Sequence, residues 1–262
     1  MIIDAHTHIF PDKIASKASE NIGNFYSLAM KFDGTTKKLR ELGDKNGIDK
    51  FLICSVATTA KQVNSINKFI ADEVRKSNGR FIGFAALHPD CENIDELIKD
   101  AINNGLSGIK LHPDFQEFNI DDKKAYKIYE AAEGKLPILF HTGDYRTQYS
   151  KPQKLAKVAK DFPKLDIIAA HFGGWSEWDD AVKYLKLDNV YVDTSSSLYA
   201  LSPEKTRELI NFYGEDKVFF GTDYPMWDME NELKFIKNLN LPPELYEKIM
   251  HKNFEKLMKK YK

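Results

Sequence analysis

Eight short apolar segments recur along the chain, and each is followed by a turn signal and then by a polar or amphipathic stretch. This alternation is typical of parallel β-strands joined by helical crossovers. After a first gap of 50 residues, the segment starts lie 23 to 30 residues apart, close to one βα unit of a barrel. The pattern predicts an α/β fold, a single (β/α)8 TIM barrel, with strands at Met1–His6, Phe51–Val56, Phe81–Leu87, Gly108–His112, Pro137–His141, Asp166–His171, Asn189–Thr194 and Lys217–Thr222.

The stretches between these strands favour helices, and some carry start or stop signals. Ser202 is a suitable N-cap before a helix at Pro203–Tyr213, with proline in its first turn. Two prolines break the chain before an extra C-terminal helix at Glu244–Lys260, whose Lys-rich tail is expected to be solvated. The other predicted helices are Lys61–Lys76, Glu92–Asn103, Asp122–Ala132, Pro152–Asp161 and Glu177–Leu185.

Only the first βα connection is long, and its segment from Ile9 to Gly34 carries several aromatic and apolar residues. A long loop after a barrel strand is where a lid or a substrate wall is expected. An extra helix packed on the barrel would explain the same composition. Both interpretations of residues 9–34 stay open from the sequence.

Composition narrows the class of protein. The 262 residues include 38 Lys+Arg against 39 Asp+Glu, which leaves no basic field to hold a nucleic acid or an anionic membrane. We therefore expect a small-molecule substrate. Cys54 and Cys91 lie far apart, outside any metal or disulfide motif, which fits a reducing compartment. With neither a basic leader nor a run of apolar residues that could span a bilayer, the sequence predicts a cytoplasmic protein with one domain over residues 1–262.

The histidines are concentrated at the predicted strand ends, where the active sites of such barrels are built. His6 and His8 are two residues apart, so both rings point to the same face of the first strand. Six of the seven histidines lie at strand ends: His6, His8, His88, His112, His141 and His171. For His88, a structural role at the end of its strand is favoured over a role in the site.

A converging set of nitrogen and oxygen ligands is therefore predicted at one mouth of the barrel. It comprises His6, His8, His141 and Asp223, the last in the segment GTDYP, with His171 as a further candidate. Imidazole and carboxylate groups suit Zn²⁺ or a similar divalent ion. Such an ion would lower the pKa of a bound water toward neutrality and so make a nucleophile or base available.

These motifs also carry a family resemblance. DAHTH, GIKLHP, FHTGD, AHFGG and GTDYP, on strands one, four, five, six and eight, resemble the amidohydrolase superfamily, specifically the amidohydrolase-related branch that includes aminocarboxymuconate-semialdehyde decarboxylase. The resemblance covers essentially the whole chain and also implies the barrel. It implies that His6, His8, His141 and Asp223 hold one metal ion, most simply Zn²⁺, and that Asp223 also takes a proton from water. His171 would be an acid, a base or an oxyanion donor beside the ion, or else a further ligand. Barrels of this superfamily are often oligomers, so a homo-oligomer stays open.

Further residues have alternative roles. Lys110 and His112 share a strand face, so if one points into the barrel both do. Superfamily members with two metal ions often carry a carboxylated lysine on strand four, so Lys110 is a candidate for a second metal or for a substrate contact. His112 is a substrate contact or a group that supports a ligand. Asp4 is a candidate to accept a hydrogen bond from a ligating imidazole.

Candidate substrate contacts come from the loops after strands five, six and eight. Arg146 would clamp a substrate carboxylate or form a structural ion pair. Tyr145, Trp175 and Tyr224 would provide aromatic walls for the pocket.

The sequence therefore predicts a metal-dependent hydrolase that uses activated water on a small ester, lactone, amide or carboxylate. The alternative is a metal-dependent decarboxylase, or another lyase, of a small unsaturated or aromatic carboxylic acid. A TatD-like nuclease is disfavoured because Lys110 stands where a glutamate is expected and the charge balance supplies no cationic groove. A non-catalytic metal-binding barrel would have a closed ligand shell with no exchangeable water.

Overall fold

Eight parallel strands lie in the order β1 to β8 in a computed structural model that describes residues 1–261. Backbone hydrogen bonds join the last strand to the first, because Ala5 N–H donates to Phe220 O at 2.8 Å and His8 N–H to Tyr224 O at 2.7 Å. The predicted (β/α)8 barrel is thereby confirmed. Its strands are β1 (Ile3–His8), β2 (Lys50–Cys54), β3 (Phe81–Ala86), β4 (Leu106–Leu111), β5 (Ile138–Phe140), β6 (Ile167–Ala169), β7 (Val190–Asp193) and β8 (Val218–Phe219).

Helices alternate with the strands, and two have the predicted bounds. They are α1 (Asp12–Tyr26), α2 (Thr36–Asn46), α3 (Val63–Lys76), α4 (Ile94–Asn103), α5 (Pro113–Gln116), α6 (Lys123–Ala132), α7 (Pro152–Asp161), α8 (Trp178–Tyr184), α9 (Pro203–Tyr213), α10 (Met229–Asn238), α11 (Pro243–Glu247) and α12 (Asn253–Met258). The N-cap of α9 is confirmed, since Ser202 Oγ accepts from Lys205 N–H at 3.2 Å. The sequence analysis misses α2 because charged residues dominate this helix, which buries only Leu39 and Gly43. Within residues 1–261, no helix has both the length and the apolar character needed to cross a membrane.

The strands end one to three residues before most of the predicted bounds, and the residues that follow them form the turns of the barrel mouth. Two of these turn residues, His171 and Asp223, have left-handed backbone conformations with φ of 63° and 59°. Such conformations are costly for residues other than glycine and concentrate at functional sites. Strand β1 differs, because it runs to His8 rather than to His6.

The C-terminal segment closes the amino-terminal end of the barrel. Instead of the one predicted helix, α11 and α12 are separated by a π-helical turn at Lys248–Lys252. The ring of Phe254 packs edge-on against Phe219, with ring centroids 5.5 Å apart, in the core of the barrel. Lys259 and Lys260 are exposed, as predicted for the Lys-rich tail, and Lys260 Nζ also lies 2.9 Å from Asp166 Oδ2. Lys262, the end of that tail, lies outside the described residues.

We expect Gly108 to be required by the close packing inside the barrel. A Cβ atom at this position in β4 would meet the ring of Phe84. Gly108→Ala should therefore lower the free energy of unfolding by about 1–3 kcal/mol, the usual cost of overpacking. Urea unfolding measures this, with Ser107→Ala on the neighbouring position as a control that should change stability little.

The double variant Gly108→Ala/Phe84→Leu decides whether this contact is the cause. A smaller side chain at position 84 makes room for the new methyl group, so the two losses should not add. Strict additivity would contradict this explanation.

Candidate active site

A cavity of about 560 Å³ opens at the carboxyl ends of the strands, a size that suits a small molecule. Its floor carries the predicted chemistry: His6, His8, Lys110, His112, His141, His171 and Asp223. Its wall is mainly apolar and comes from α1 with the residues around it and from α3: Phe10, Ile14, Ile22, Phe25, Tyr26, Met30, Ile66 and Phe69. The long first connection is thus an extra helix that also forms the substrate wall.

Three of the predicted ligands converge on one point. His6 Nε2 lies 3.2 Å from His8 Nε2 and 3.6 Å from Asp223 Oδ1, and His8 Nε2 lies 3.3 Å from the same carboxylate oxygen. Two atoms that each lie about 2.1 Å from a tetrahedral ion are roughly 3.4 Å apart. The three donor atoms therefore have the spacing that a divalent cation requires, and the residues fit a metal site.

The protonation of His6 supports the same conclusion. His6 Nδ1 lies 2.9 Å from Asp193 Oδ2, so Nδ1 donates and Nε2 keeps its lone pair. Burial, with the nearby charge of Lys110, lowers the pKa of His6 to about 4, and the ring is neutral. A neutral imidazole whose lone pair faces the other two donors is the form that binds metal. We call His6, His8 and Asp223 the metal triad.

Asp193 was missed from the sequence, although it ends β7 at the same level as the strand-end histidines. The role proposed for Asp4 is thereby corrected. Asp4 accepts hydrogen bonds from the backbone of His6 at 3.2 Å and from Thr222 Oγ1 at 2.6 Å, and it touches no imidazole. Its carboxylate lies in the seam between β1 and β8.

His141 and His171 form a pair beside the triad. His171 Nε2 lies 3.0 Å from His141 Nδ1, and His171 Nδ1 lies 3.0 Å from the carbonyl oxygen of Ser195. The carbonyl can only accept, so the proton of His171 is on Nδ1, and its Nε2 faces His141 with a lone pair. His141 Nε2 lies 3.7 Å from Asp114 Oδ2, and both atoms are buried without a hydrogen-bond partner in the described residues. Asp114 is a second cavity residue that the sequence missed.

Lys110 and His112 both reach the cavity, as the shared strand face predicts. Lys110 is buried, with Nζ 3.2 Å from His6 Nε2, and burial lowers its pKa. The ring of His112 stacks on that of His141 with centroids 4.0 Å apart. Its Nε2 contacts Tyr26 Oη at 2.9 Å. Tyr26 belongs to the segment from Ile9 to Gly34, for which the sequence predicts a lid, a substrate wall or an extra helix, but the sequence does not predict the contact with His112.

The structure places the four predicted substrate contacts outside the cavity lining. Arg146 makes two hydrogen bonds to the buried carboxylate of Asp144, at 2.9 Å and 2.6 Å, and donates to Phe25 O at 2.6 Å. Its guanidinium lies 4.7 Å from the Phe25 ring centroid and 4.9 Å from that of Tyr26. Arg146 therefore forms a structural ion pair rather than the predicted clamp on a substrate carboxylate, because the end of α1 stands between Arg146 and the cavity.

The three aromatic residues are displaced for related reasons. Trp175 packs edge-on against Tyr26, at 5.1 Å between ring centroids, and so lies behind the cavity wall. Tyr145 is 67% exposed. Tyr224 is fully buried, and its Oη donates to Thr35 O at 2.9 Å. His88, as expected, is not a cavity residue, and its Nδ1 accepts from Asp90 N–H at 3.1 Å.

Comparison with known proteins agrees with this fold. The sequence model of the family described as "Amidohydrolase" matches residues 3–259. A 2-amino-3-carboxymuconate-6-semialdehyde decarboxylase from Dictyostelium discoideum is 26% identical in an alignment of 201 residues, which covers 61% of this chain and 55% of that protein. The match thus spans about half the length of that relative.

Solved structures share the whole fold at low sequence identity. A 5-carboxyvanillate decarboxylase from Sphingomonas paucimobilis has a TM-score of 0.77 and 16% identity, with 98% of each chain covered. A dihydroxybenzoic acid decarboxylase from a Polaromonas species, with bound manganese and the inhibitor 2-nitroresorcinol, has a TM-score of 0.72 and 18% identity, covering 98% of this chain and 96% of that one.

Removing Arg146 should destabilise the protein, because the buried carboxylate of Asp144 would lose its partner. For Arg146→Met we expect a loss of about 3 kcal/mol in the free energy of unfolding, measured by urea titration. Arg75→Met, which removes an arginine from an exposed pair on α3, should cost less than about 1 kcal/mol.

A double-mutant cycle with Asp144→Asn tests the pairing itself. The double variant should lose less stability than the two single variants together, since neither buried charge is then left alone. Additive losses would show that Arg146 acts through packing rather than through Asp144.

Proposed function

The chain belongs to the amidohydrolase family, and from that premise we propose that it is a metal-dependent decarboxylase of a small aromatic or unsaturated carboxylic acid. The observation that carries the proposal is the sequence similarity to a decarboxylase over 201 residues. It favours the lyase alternative over the hydrolase that the sequence analysis puts first. We propose further that residues 1–262 act as one catalytic domain.

In this proposal His6, His8 and Asp223 hold one divalent ion, with His141 beside them as the fourth candidate ligand. Zn²⁺ and Mn²⁺ both accept nitrogen and carboxylate ligands, so either ion suits this set. When bound, the ion supplies positive charge that orients and polarises the oxygen atoms of the substrate. This role needs an open coordination position, and the triad faces the cavity.

Lys110 and the apolar wall position the substrate. Lys110 Nζ lies at the buried end of the cavity, where a substrate carboxylate would favour its charged form. The aromatic or unsaturated part of the substrate then packs against the apolar side chains of α1. This arrangement excludes water from the bond that breaks.

The reaction needs a proton but no attacking water. The carbon–carbon bond to the carboxylate breaks, carbon dioxide leaves, and the electron pair stays on the substrate carbon, which then takes a proton. We assign this proton transfer to His171, whose Nε2 first takes up a proton from solvent and then delivers it to the substrate carbon, with Asp223 as the neighbouring carboxylate that stabilises the protonated ring. Burial lowers the pKa of His171, which makes the protonated ring a stronger acid.

The product distinguishes this reaction from hydrolysis. The metal-loaded protein should be incubated with a series of aromatic acids that includes 2,6-dihydroxybenzoate, in heavy-oxygen water and separately in deuterium oxide. We expect release of carbon dioxide and one deuterium atom on the carbon that carried the carboxylate. His171→Gln should lower the rate by about 100-fold or more. Incorporation of solvent oxygen into the product without carbon dioxide would contradict the proposal and favour the hydrolase.

We expect Asp193→Asn to weaken metal binding, because Asp193 fixes His6 with its proton on Nδ1. Loss of such an outer partner lowers metal affinity by about 10-fold to 100-fold. Competition with a chromophoric chelator measures the change for Zn²⁺ and Mn²⁺.

Asp166→Asn is the matched control, since it removes the same charge at the opposite end of the barrel, beside Lys260. It should leave metal affinity unchanged. Equal affinities of Asp193→Asn and the wild type would count against the metal role of His6.

A further inference from the structure

Tyr26 is a polar group on an otherwise mainly apolar wall. It is the last residue of α1, and its ring packs against those of Phe25, Phe115 and Trp175, with centroids 4.9, 5.8 and 5.1 Å away. The side chain is partly buried and lines the cavity beside the reactive floor. Among the described residues, Tyr26 Oη has one hydrogen-bond partner, His112 Nε2 at 2.9 Å.

The direction of this hydrogen bond is set by the other nitrogen of His112. His112 is the N-cap of α5, and its Nδ1 accepts from the backbone N–H of Phe115 at 3.3 Å. A ring nitrogen that accepts carries no proton, so the proton of His112 is on Nε2. Nε2–H therefore donates to Tyr26 Oη, and the tyrosine's own proton is left without an acceptor.

The cavity offers few other groups for an anion. Within the described lining, Lys110 is the single lysine or arginine side chain, and Arg146 is held by Asp144 outside it. A carboxylate has two oxygen atoms and up to four positions that accept hydrogen bonds. One lysine leaves some of these positions open to another donor.

We propose that Tyr26 Oη donates a hydrogen bond to the carboxylate of the substrate, so that α1 contributes a binding group as well as an apolar wall. This inference rests on the proposed function, because it assumes that a carboxylic acid occupies the cavity. His112 then acts as a positioning residue, since it occupies the acceptor side of Tyr26 Oη and directs the proton toward the ligand.

Arg146 fixes the position of this hydroxyl. It donates to the carbonyl of Phe25, the residue before Tyr26, and stacks over the Tyr26 ring. Because Arg146 is itself held by the buried Asp144, the end of α1 cannot move away from the floor without breaking these contacts. The donor is thus held in place before the ligand arrives, which lowers the entropic cost of binding.

The test compares two ligands that differ only in the carboxylate. Stopped-flow tryptophan fluorescence of the metal-loaded protein measures, before the acid turns over, the Kd of 2,6-dihydroxybenzoate and of resorcinol, which has the same ring and hydroxyl groups. For Tyr26→Phe we expect about 10-fold to 100-fold weaker binding of the acid and unchanged binding of resorcinol. Tyr145→Phe is the control, because it removes the same hydroxyl from an exposed ring near the mouth. It should change neither Kd.

The possible failures of the two proposals are distinguishable. If the wild type binds the acid but Tyr26→Phe binds it equally well, or weakens both ligands by the same factor, the role of Tyr26 is overturned and the proposed function stands. If the wild type binds neither this acid nor benzoate, the proposed function fails and takes the inference with it. A rise in KM with little change in kcat for Tyr26→Phe would support a binding role in turnover.

Discussion

The seam between β1 and β8 is the constraint on which the site depends. It joins the two ends of the chain, since His8 N–H donates to Tyr224 O at 2.7 Å and Asp223 N–H donates to His6 O at 2.9 Å. These hydrogen bonds close the barrel, and they also set His6, His8 and Asp223 side by side. The left-handed backbone at Asp223 lets its amide bond to β1 while its carboxylate turns toward the histidines. Barrel closure and the candidate metal site are therefore one arrangement of the same residues.

A second layer of contacts fixes the orientation of the reactive groups. Asp193 accepts from His6 Nδ1 and also from the backbone N–H of His171, at 3.1 Å, so one carboxylate orients two histidines. Burial makes such contacts rigid, because a polar group that leaves its partner has no water to replace it. We therefore expect the floor of the cavity to tolerate few single substitutions. The wall from α1 makes mostly apolar contacts, which tolerate exchange among side chains of similar volume.

The sequence alone predicts the features that depend on local patterns of residues. Strand spacing predicts the barrel, and the period of two in a strand correctly places His6 beside His8 and Lys110 beside His112. The missed features depend on contacts between distant segments. Tyr26 reaches the floor only because α1 folds back over the mouth; the aromatic residues around it predict a wall or an extra helix, but not which of them contacts the floor. Arg146 was ambiguous for a physical reason: a guanidinium fits a substrate carboxylate and the carboxylate of Asp144 equally well.

Because Arg146 lies outside the cavity, it adds no positive charge to the cavity lining, and this limits how many carboxylates a ligand can carry. A substrate with several carboxylates would need several cations to offset the cost of burying its charges. The described lining has Lys110, a candidate metal triad, the carboxyl groups of Asp114 and Glu117 and neutral donors, set below a wall of aliphatic and aromatic side chains. Under the proposed function, this arrangement suits a substrate with one carboxylate at one end and an apolar body at the other. The guanidinium outside the wall still contributes, because it holds α1 in place and so preserves the shape that makes this distinction.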